Sequence, residues 1–414
     1  MIDADLFKRI SDRIDTYENE MIELQKSLTA IPALAPESGG EGEHDKARFL
    51  VEYLRSRGFD EINVVNAPDE RVSSGVRSNI IAFVPGSNMN KTIWILSHID
   101  VVPPGELGLW DAPPYEGYVK DGRVFGRGTE DNQQDLVASL FAAKALIDEG
   151  LQPEFQVGLA FVADEETGST KGLEYLLEER SDLFKKDDLI IVPDFGNPEG
   201  TLIEIAEKSI LWLRIKTKGL QCHASRPEAG NNAFRAASHL IVALDGLYDS
   251  FDRTEPLYHP PVSTFEPTKK DGNVPNVNTI PGEDVFFLDC RVLPFYDLKE
   301  VLAEIRTMAD AIEDKFGVTI EITPVQMVQA PPPTDEEAPV VEALKEAIEK
   351  VYRISAVPGG IGGGTVAAHF RVKRYPVAVW SKLDSMAHQP NESCRIENMI
   401  GNAKVFAHIM MRKE

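Results

Sequence analysis

The chain has 414 residues, more than one hydrophobic core usually organises, so we expect two domains. Its 67 acidic and 43 basic side chains give a net charge of −24, which argues against binding to nucleic acid or to an anionic membrane. The three cysteines show no CxxC pattern, so neither a disulfide framework nor a thiolate zinc site is indicated. The amino terminus lacks the features of a signal peptide, and no apolar run approaches the length of a membrane span. We therefore expect a soluble, cytoplasmic protein.

The first part of the chain predicts helices followed by strands. Apolar residues recur at spacings of three and four over residues 7–28, which predicts one long amphipathic helix. A second helix is expected over residues 47–57. Further on, Asp121 and Gly122 separate two short segments and predict a β-hairpin.

Residues 93–102 form a short apolar run that contains His98 and Asp100. The run predicts a buried strand, whose period of two places both side chains on one face near the end of the strand. A neutral imidazole at this position is able to bind a metal ion while Asp100 orients the ring. The alternative is a satisfied polar pair at a strand end.

Other predicted elements also present carboxylates or histidine at their ends. They are Asp131 before a helix, Glu165 and Glu166 after the strand 155–163, Asp194 after the strand 189–193, and His388 in a loop after the strand 377–380. Strands alternating with helices imply a mostly parallel sheet, and α/β proteins place their sites at the carboxyl-terminal edge of such a sheet. Taken singly, each acidic residue has helix capping as an alternative. Together they predict one site at that edge.

The pattern changes near Ser209 to an alternation typical of a small α/β sandwich. We therefore predict an α/β protein with a mostly parallel sheet flanked by helices in a catalytic domain made of residues 1–208 and 325–414. The sandwich, residues 209–324, is inserted between these two parts. A stiff connection at residues 331–333, which are three prolines, leads back to the first domain.

The candidate residues include two histidines and several carboxylates but no thiolate. This donor set suits a pair of divalent ions such as zinc, cobalt or manganese that share a bridging carboxylate. Such a pair holds a hydroxide that attacks as a nucleophile at neutral pH. Glu165 and Glu166 are adjacent and would have different tasks. One would be a ligand, and the other would be the general base that takes the proton of the water and passes it to a leaving amine. The residues alone do not assign the two tasks.

Several motifs occur in a characteristic order along nearly the whole chain. They are His98-Ile99-Asp100, Gly126-Arg127-Gly128 with Asp131, residues 164–168, Gly219 with residues 223–227, Asn232-Ala233, and His388 with Asn391-Glu392. This set resembles the dinuclear metallohydrolases that include acetylornithine deacetylase, succinyl-diaminopimelate desuccinylase, aminoacylase and glutamate carboxypeptidase. The resemblance implies a two-metal enzyme that hydrolyses carbon–nitrogen bonds.

The resemblance also implies a role for the residues of each motif. His98, Asp131 and Asp194 would hold one ion, Asp131, Glu166 and His388 would hold the other, and Glu165 would be the general base. The peptide bond from Asp131 to Asn132 would be cis. The inserted domain would serve as lid and dimerisation domain of a homodimer.

Residues on and near the inserted domain would complete the site. In similar enzymes the histidine in the context of His223 comes from the partner subunit and stabilises the oxyanion. Asn278 and Arg291 match positions that contact substrate, with a turn amide and a surface ion pair as alternatives. Gly364 and Thr365 end a glycine run whose backbone amides would receive a substrate carboxylate, unless the run is only a flexible turn. His44, His239, His259, His369 and His408 fit no motif and are expected to be structural.

Three residues depart from the pattern and leave the substrate open. Gln133 and Gln134 replace a common Lys and Gly, and Val366 replaces an acid. At the position of Asp194, Glu resembles the deacylases, whereas Asp resembles aminopeptidases and dipeptidases. We therefore predict a hydrolase of an N-acyl amino acid, with a dipeptidase or aminopeptidase as the alternative. A non-catalytic regulatory member would have lost Glu165 or a ligand, and none is lost.

Overall fold

The structure is a computed structural model that describes residues 2–413. The chain forms two compact units. The first unit runs to Ile205 and also contains Thr334–Pro358 and the chain from Thr365 onward, and the second is Ala206–Pro333 with Gly359–Gly364. The predicted inserted domain ended at residue 324, inside a strand that continues to Val328.

The helices of the chain are numbered in sequence order. They are α1 (Ala4–Asp15), α2 (Glu18–Thr29), α3 (His44–Ser56), α4 (Gln133–Asp148), α5 (Leu173–Glu179), α6 (Ala233–Ala243), α7 (Leu247–Ser250), α8 (Leu298–Phe316), α9 (Pro339–Tyr352), α10 (Ala367–Val372) and α11 (Ile396–Met410). The single long helix predicted over residues 7–28 was wrong. It is interrupted between α1 and α2, where the hydroxyl of Thr16 donates to the Arg13 carbonyl and caps the first helix.

The strands are numbered in the same way. They are β1 (Glu61–Pro68), β2 (Val76–Val84), β3 (Asn88–His98), β4 (Tyr118–Lys120), β5 (Arg123–Phe125), β6 (Phe155–Val162), β7 (Leu189–Asn197), β8 (Leu202–Glu207), β9 (Ser209–Lys218), β10 (Cys222–His223), β11 (Thr264–Lys270), β12 (Thr279–Ile280), β13 (Glu283–Val292), β14 (Thr319–Val328), β15 (Val357–Ile361), β16 (Val377–Lys382) and β17 (Ser393–Arg395). The predicted hairpin joins β4 to β5, and Asp121 and Gly122 adopt the positive φ angles, 49° and 74°, that such a turn requires.

The largest sheet has eight strands in the order β1-β2-β6-β3-β7-β16-β8-β15. Its central strands β6, β3, β7 and β16 pair in parallel, whereas β1 with β2, β2 with β6, and β16 with β8 pair antiparallel. The predicted α/β fold with a mainly parallel sheet is therefore confirmed. Because the central strands run in one direction, their carboxyl-terminal ends meet at one edge of the sheet.

The central strands are apolar on both faces because helices cover them. On β3, Trp94 is fully buried between the rings of Phe83 and Phe184. Helix α4 is buried along nearly its whole length, which explains why leucine and alanine occur on all of its faces. The core thus holds the ends of the central strands in fixed positions, and several candidate side chains lie on these ends or shortly after them.

The second unit has a four-stranded sheet in the order β11-β13-β9-β14. On β9, Leu211, Leu213 and Ile215 are buried and alternate with more exposed residues. They pack with residues of α6 and α8, so helices cover one face of this sheet. Within residues 2–413, no helix is long and apolar enough to cross a membrane.

Candidate dinuclear metal centre

His98 is the last residue of β3 and is 2% exposed. Its Nδ1 lies 3.1 Å from the carbonyl oxygen of Asp100 and 3.5 Å from the Asp100 carboxylate. Its Nε2 lies 2.9 Å from Asp131 Oδ1 and 3.3 Å from Asp194 Oδ1. Contacts of Nδ1 with Asp100 therefore orient the ring, while Nε2 faces two carboxylates.

A second group of donors uses the other oxygen of the same aspartate. His388 Nε2 lies 3.1 Å from Asp131 Oδ2 and 3.1 Å from Glu166 Oε2. Two sets of three ligand atoms, each compact enough to surround a cation, thus share Asp131. We call His98, Asp131 and Asp194 the strand group, and Asp131, Glu166 and His388 the loop group.

The carboxylates of this site raise the pKa of both histidines. Burial opposes protonation of His98, but its carboxylate partners outweigh burial and raise the pKa well above the ordinary value. Hydrogen bonds to Asp131 and Glu166 raise the pKa of His388 to about 10. Without metal ions, protons on the two imidazoles therefore balance the carboxylates.

Asn132, which follows Asp131 in the chain, connects it to Asp194 through side-chain hydrogen bonds. The Asn132 side chain donates to the Pro193 carbonyl at 2.7 Å and to Asp194 Oδ1 at 2.9 Å. The Asp131–Asn132 peptide bond is cis, as the resemblance implied. Asp194 lies inside β7 and not after its end, because the strand continues beside β16 past an irregular register.

Glu165 and Glu166 lie on a 3-10 turn that follows β6. Their backbone N–H groups both donate to the Asp100 carboxylate at 3.1 Å. The predicted role of Asp100 was to orient His98, and its carboxylate also holds this turn. Asp164 precedes the turn in the left-handed region with φ 62°, and its carboxylate accepts the N–H of Lys171 at 2.9 Å.

A buried ion pair lies beneath this turn and was not recognised in the sequence. Arg77 and Glu43 are both fully buried and form a bidentate pair. Glu43 Oε1 also accepts the N–H of Asp164 at 3.3 Å, and Arg77 Nη1 lies 3.3 Å from Asp164 Oδ1. Glu43 directly precedes α3 and Arg77 lies in β2, so only the folded chain brings them together.

Two more buried carboxylates connect the segments that carry Asp131 and His388. Glu130 accepts backbone N–H groups of Asp384 and Met386. Glu392 accepts N–H groups of Gly128, Glu130 and Asp131. The sequence offered only a weak signal for them, an acid directly before Asp131 and another after His388.

His223 belongs to the second unit, where β10 pairs with β12 and places it opposite Thr279. The side chain is exposed, and its Nδ1 accepts the N–H of Ser225 at 3.1 Å. An imidazole that accepts at Nδ1 carries its proton on Nε2 when it is neutral. His223 is therefore prepared to donate a hydrogen bond outward.

The predicted substrate contacts have the following surroundings. Asn278 is exposed beside His223, and its carbonyl accepts the N–H of Ala224 at 2.9 Å. Arg291 forms a bidentate pair with Asp289 and donates to the Gly362 carbonyl at 2.9 Å. In the glycine run, Gly364 is followed by Thr365, whose hydroxyl accepts the N–H of Ala367 at the start of α10.

The residues that depart from the family pattern are buried. Gln133 accepts a hydrogen bond from the Thr29 hydroxyl at 3.0 Å, and Gln134 donates to the Lys382 carbonyl at 3.1 Å. Val366 is 4% exposed and packs in the core with Phe370. Each of the three therefore has a structural role in the first unit.

The chain was compared with known proteins. A model of Peptidase family M20/M25/M40 matches residues 94–412. An uncharacterized metallohydrolase of Methanocaldococcus jannaschii is 42% identical over 410 residues, 94% of this chain and 98% of that protein. A succinyl-diaminopimelate desuccinylase of Paracoccus denitrificans is 26% identical over 334 residues, 79% of this chain and 84% of that protein. The crystal structure of human carnosine dipeptidase 1 has a TM-score of 0.74 at 17% identity and covers 99% of both chains.

The fold and the paired donor groups define a metal-dependent hydrolase. The chain belongs to Peptidase family M20/M25/M40 and is a metallohydrolase acting on amide or peptide bonds. The resemblance inferred from the motifs and the predicted class of enzyme are thus confirmed.

Proposed function

We propose that this protein cleaves the amide bond of an N-acyl amino acid with Glu165 as the general base. The observation that carries the proposal is that only one of two adjacent glutamates belongs to a donor group. Glu166 Oε2 lies in the loop group, 3.1 Å from His388 Nε2, whereas Glu165 belongs to neither donor group. The Asp100 carboxylate fixes the backbone of both residues. One glutamate is therefore available for proton transfer beside the ligands.

The donors fit two divalent ions. Each group offers one imidazole nitrogen and two carboxylate oxygens, a set suited to zinc, with cobalt or manganese as alternatives. Glu166 Oε1 is buried and lacks a hydrogen-bond partner among the described residues, as expected of an atom that faces a cation. Bound ions would lower the pKa of a water molecule and polarise the scissile carbonyl.

The protein's own residues then move the proton. Glu165 takes a proton from the water whose oxygen attacks the carbonyl carbon. The carbon–nitrogen bond breaks as the carboxylate product forms, and Glu165 gives the proton to the leaving amine. In the metal-free protein, burial and the Asp194 and Glu166 carboxylates raise the pKa of Glu165 well above its ordinary value.

Two observations bear on the substrate. The similarity to a succinyl-diaminopimelate desuccinylase over most of the chain supports an N-acyl amino acid. Asp194 in the strand group favours the alternative, a dipeptidase or aminopeptidase. Retention of Glu165 and of all donors argues against a non-catalytic regulatory protein.

The test combines a substrate panel with one substitution. The zinc-loaded enzyme is assayed for amine release from N-succinyl, N-acetyl and dipeptide substrates. Glu165→Ala is expected to lower kcat on the best substrate by roughly 100- to 10,000-fold because the general base is lost. Native mass spectrometry of the Glu165→Ala variant should still find both ions.

Glu166→Ala is the matched control, since it removes the neighbouring carboxylate and should remove one ion. Loss of an ion from Glu165→Ala would show that the roles of the two glutamates are reversed. Faster turnover of dipeptides than of acylated amino acids would select the peptidase alternative.

We further propose that the active enzyme is a homodimer in which His223 of one subunit stabilises the oxyanion in the other. The exposure of His223 and its hydrogen bond from Ser225 support this role, because Nε2–H is left to donate. The second unit would then act as lid and dimerisation domain.

Subunit exchange tests this composite site. Glu165→Ala and His223→Ala homodimers, each nearly inactive, are mixed and allowed to exchange. A heterodimer has one intact site, so it should reach up to about half of the wild-type rate if the sites are independent. A tagged pull-down confirms exchange, and exchanged subunits without recovered activity would disprove action across subunits.

A further inference from the structure

Glu166 of the loop group lies on the turn after β6. The other two donors, Asp131 and His388, lie on two further segments of the first unit. The bridging segment, residues 126–131, ends in Asp131, and the histidine segment, residues 384–392, contains His388. The histidine segment joins β16 to β17 without any helix or strand of its own. Something other than regular secondary structure must therefore fix the position of His388.

Each segment sends one carboxylate into the backbone of the other. Glu130, on the bridging segment, accepts the N–H of Asp384 at 2.7 Å and the N–H of Met386. Glu392, on the histidine segment, accepts N–H groups of the bridging segment at 3.0 to 3.1 Å. The arrangement is reciprocal, and it connects the residue before Asp131 to a residue two positions before His388.

Burial makes these hydrogen bonds costly to lose. Glu130 is 3% exposed and Glu392 is fully buried. A buried carboxylate needs its hydrogen bonds, because a charge without partners in the protein interior carries a large desolvation penalty. Arg127 is also buried and pairs with Glu392 at 2.6 Å, which balances the charge of that carboxylate.

We propose that Glu130 and Glu392 are positioning residues that fix the separation of Asp131 and His388 and so set the affinity for the ion of the loop group. This inference rests on the proposed two-metal function. Glu130 gives the more selective test, because it holds only the histidine segment, whereas Glu392 also holds the N–H of Asp131. The strand group takes His98 and Asp194 from β3 and β7 and shares only Asp131, whose backbone N–H is held by Glu392, so its ion should be insensitive to Glu130.

The experiment loads the full-length protein with Zn²⁺ and removes the ions with increasing concentrations of a chelator. Partners that orient a metal ligand typically contribute 10- to 100-fold in affinity, so Glu130→Ala should weaken one ion by roughly that factor and leave the other unchanged. Glu130→Gln keeps one of two acceptor oxygens and should give a smaller loss. In the background of His388→Ala, Glu130→Ala should have no further effect, because the ion it acts on is already lost.

Asp188→Ala is the matched control. Asp188 is 1% exposed and also accepts backbone N–H groups from two segments, those of Thr92 and Lys185 at 2.8 Å. It directly precedes β7, and its partner Thr92 lies six residues before His98 on β3. Its loss should lower the unfolding temperature and leave both zinc affinities unchanged.

The inference would be overturned if folded Glu130→Ala bound both ions with wild-type affinity. It would also be overturned if Glu130→Ala and Asp188→Ala each weakened the binding of both ions to the same extent. If Glu130→Ala does not fold, as judged by circular dichroism, Glu130→Gln decides by the same criteria. A wild-type protein that binds fewer than two zinc ions would instead contradict the proposed function.

Discussion

The strand group and the loop group share Asp131 but are held by different parts of the fold. His98 ends a buried strand and has a side chain only 1% exposed. His388 lies in a loop at φ 62°, and its side chain is 55% exposed. The sheet itself places the first histidine, whereas side-chain hydrogen bonds to backbone N–H groups place the second. Two ions in one site would therefore depend on different structural supports.

The same contrast applies to the charges. The carboxylates around His98 lie close together with little access to water, so the imidazolium is their main compensation in the metal-free protein. Water reaches His388 and screens its charge. The loss of His98 should consequently cost much more stability than the loss of His388.

Alanine substitution of each histidine tests this contrast and has the largest expected effect on stability. In metal-free protein, His98→Ala should lower the free energy of unfolding by about 3 to 5 kcal/mol, because it removes the cation that lies among these carboxylates in the interior. His388→Ala should lower it by at most about 1 kcal/mol. Urea unfolding at pH 7 with a chelator measures both, and His239→Ala, at an exposed position, is the control. Equal losses for the two variants would show that the groups are supported alike.

The strand group was also the part that the sequence predicted best. The period of two placed His98 and Asp100 on one face, and the alternation of strands and helices placed Asp194 at the same edge of the sheet. The structure brings these side chains together, but β3 ends at His98, so Asp100 follows the strand, and β7 continues beyond Asp194. Local patterns suffice where a strand of regular geometry carries the side chain.

The loop group lacks such a pattern. Glu165 and Glu166 are adjacent, so no period distinguishes them, and their assignment came from the family resemblance. Glu130 and Glu392 contact each other's segments across more than 250 positions of sequence, and no local signal reports such a contact. The break after α1 was missed for a related reason, because a capping hydroxyl at Thr16 does not disturb the apolar periodicity.

A third histidine extends the comparison to a site without metal donors. His408 lies in the last turn of α11, is 4% exposed, and packs edge-on against Phe7 at 4.8 Å. Burial lowers its pKa to about 4, and the charges of Lys350 and Arg412 act in the same direction while Glu346 opposes them. A helix carboxyl terminus favours a cation by only about 0.3 to 1 kcal/mol, which does not offset burial. His98 is equally buried, but its carboxylates reverse the direction of the shift.

The pH dependence of stability should therefore reveal His408. Its pKa is lower in the folded than in the unfolded state, so its contribution is fully present above pH 6.5 and is lost as pH falls from 6.5 to about 4. The loss amounts to about 3 kcal/mol at the lower limit. His408→Phe retains the ring contact but cannot be protonated, so its unfolding free energy relative to wild type should rise by about this amount between pH 8 and pH 4. His239→Phe is the control for the same substitution at an exposed position. A constant difference between His408→Phe and wild type across this range would mean that His408 is protonated as readily in the folded chain as in the unfolded one.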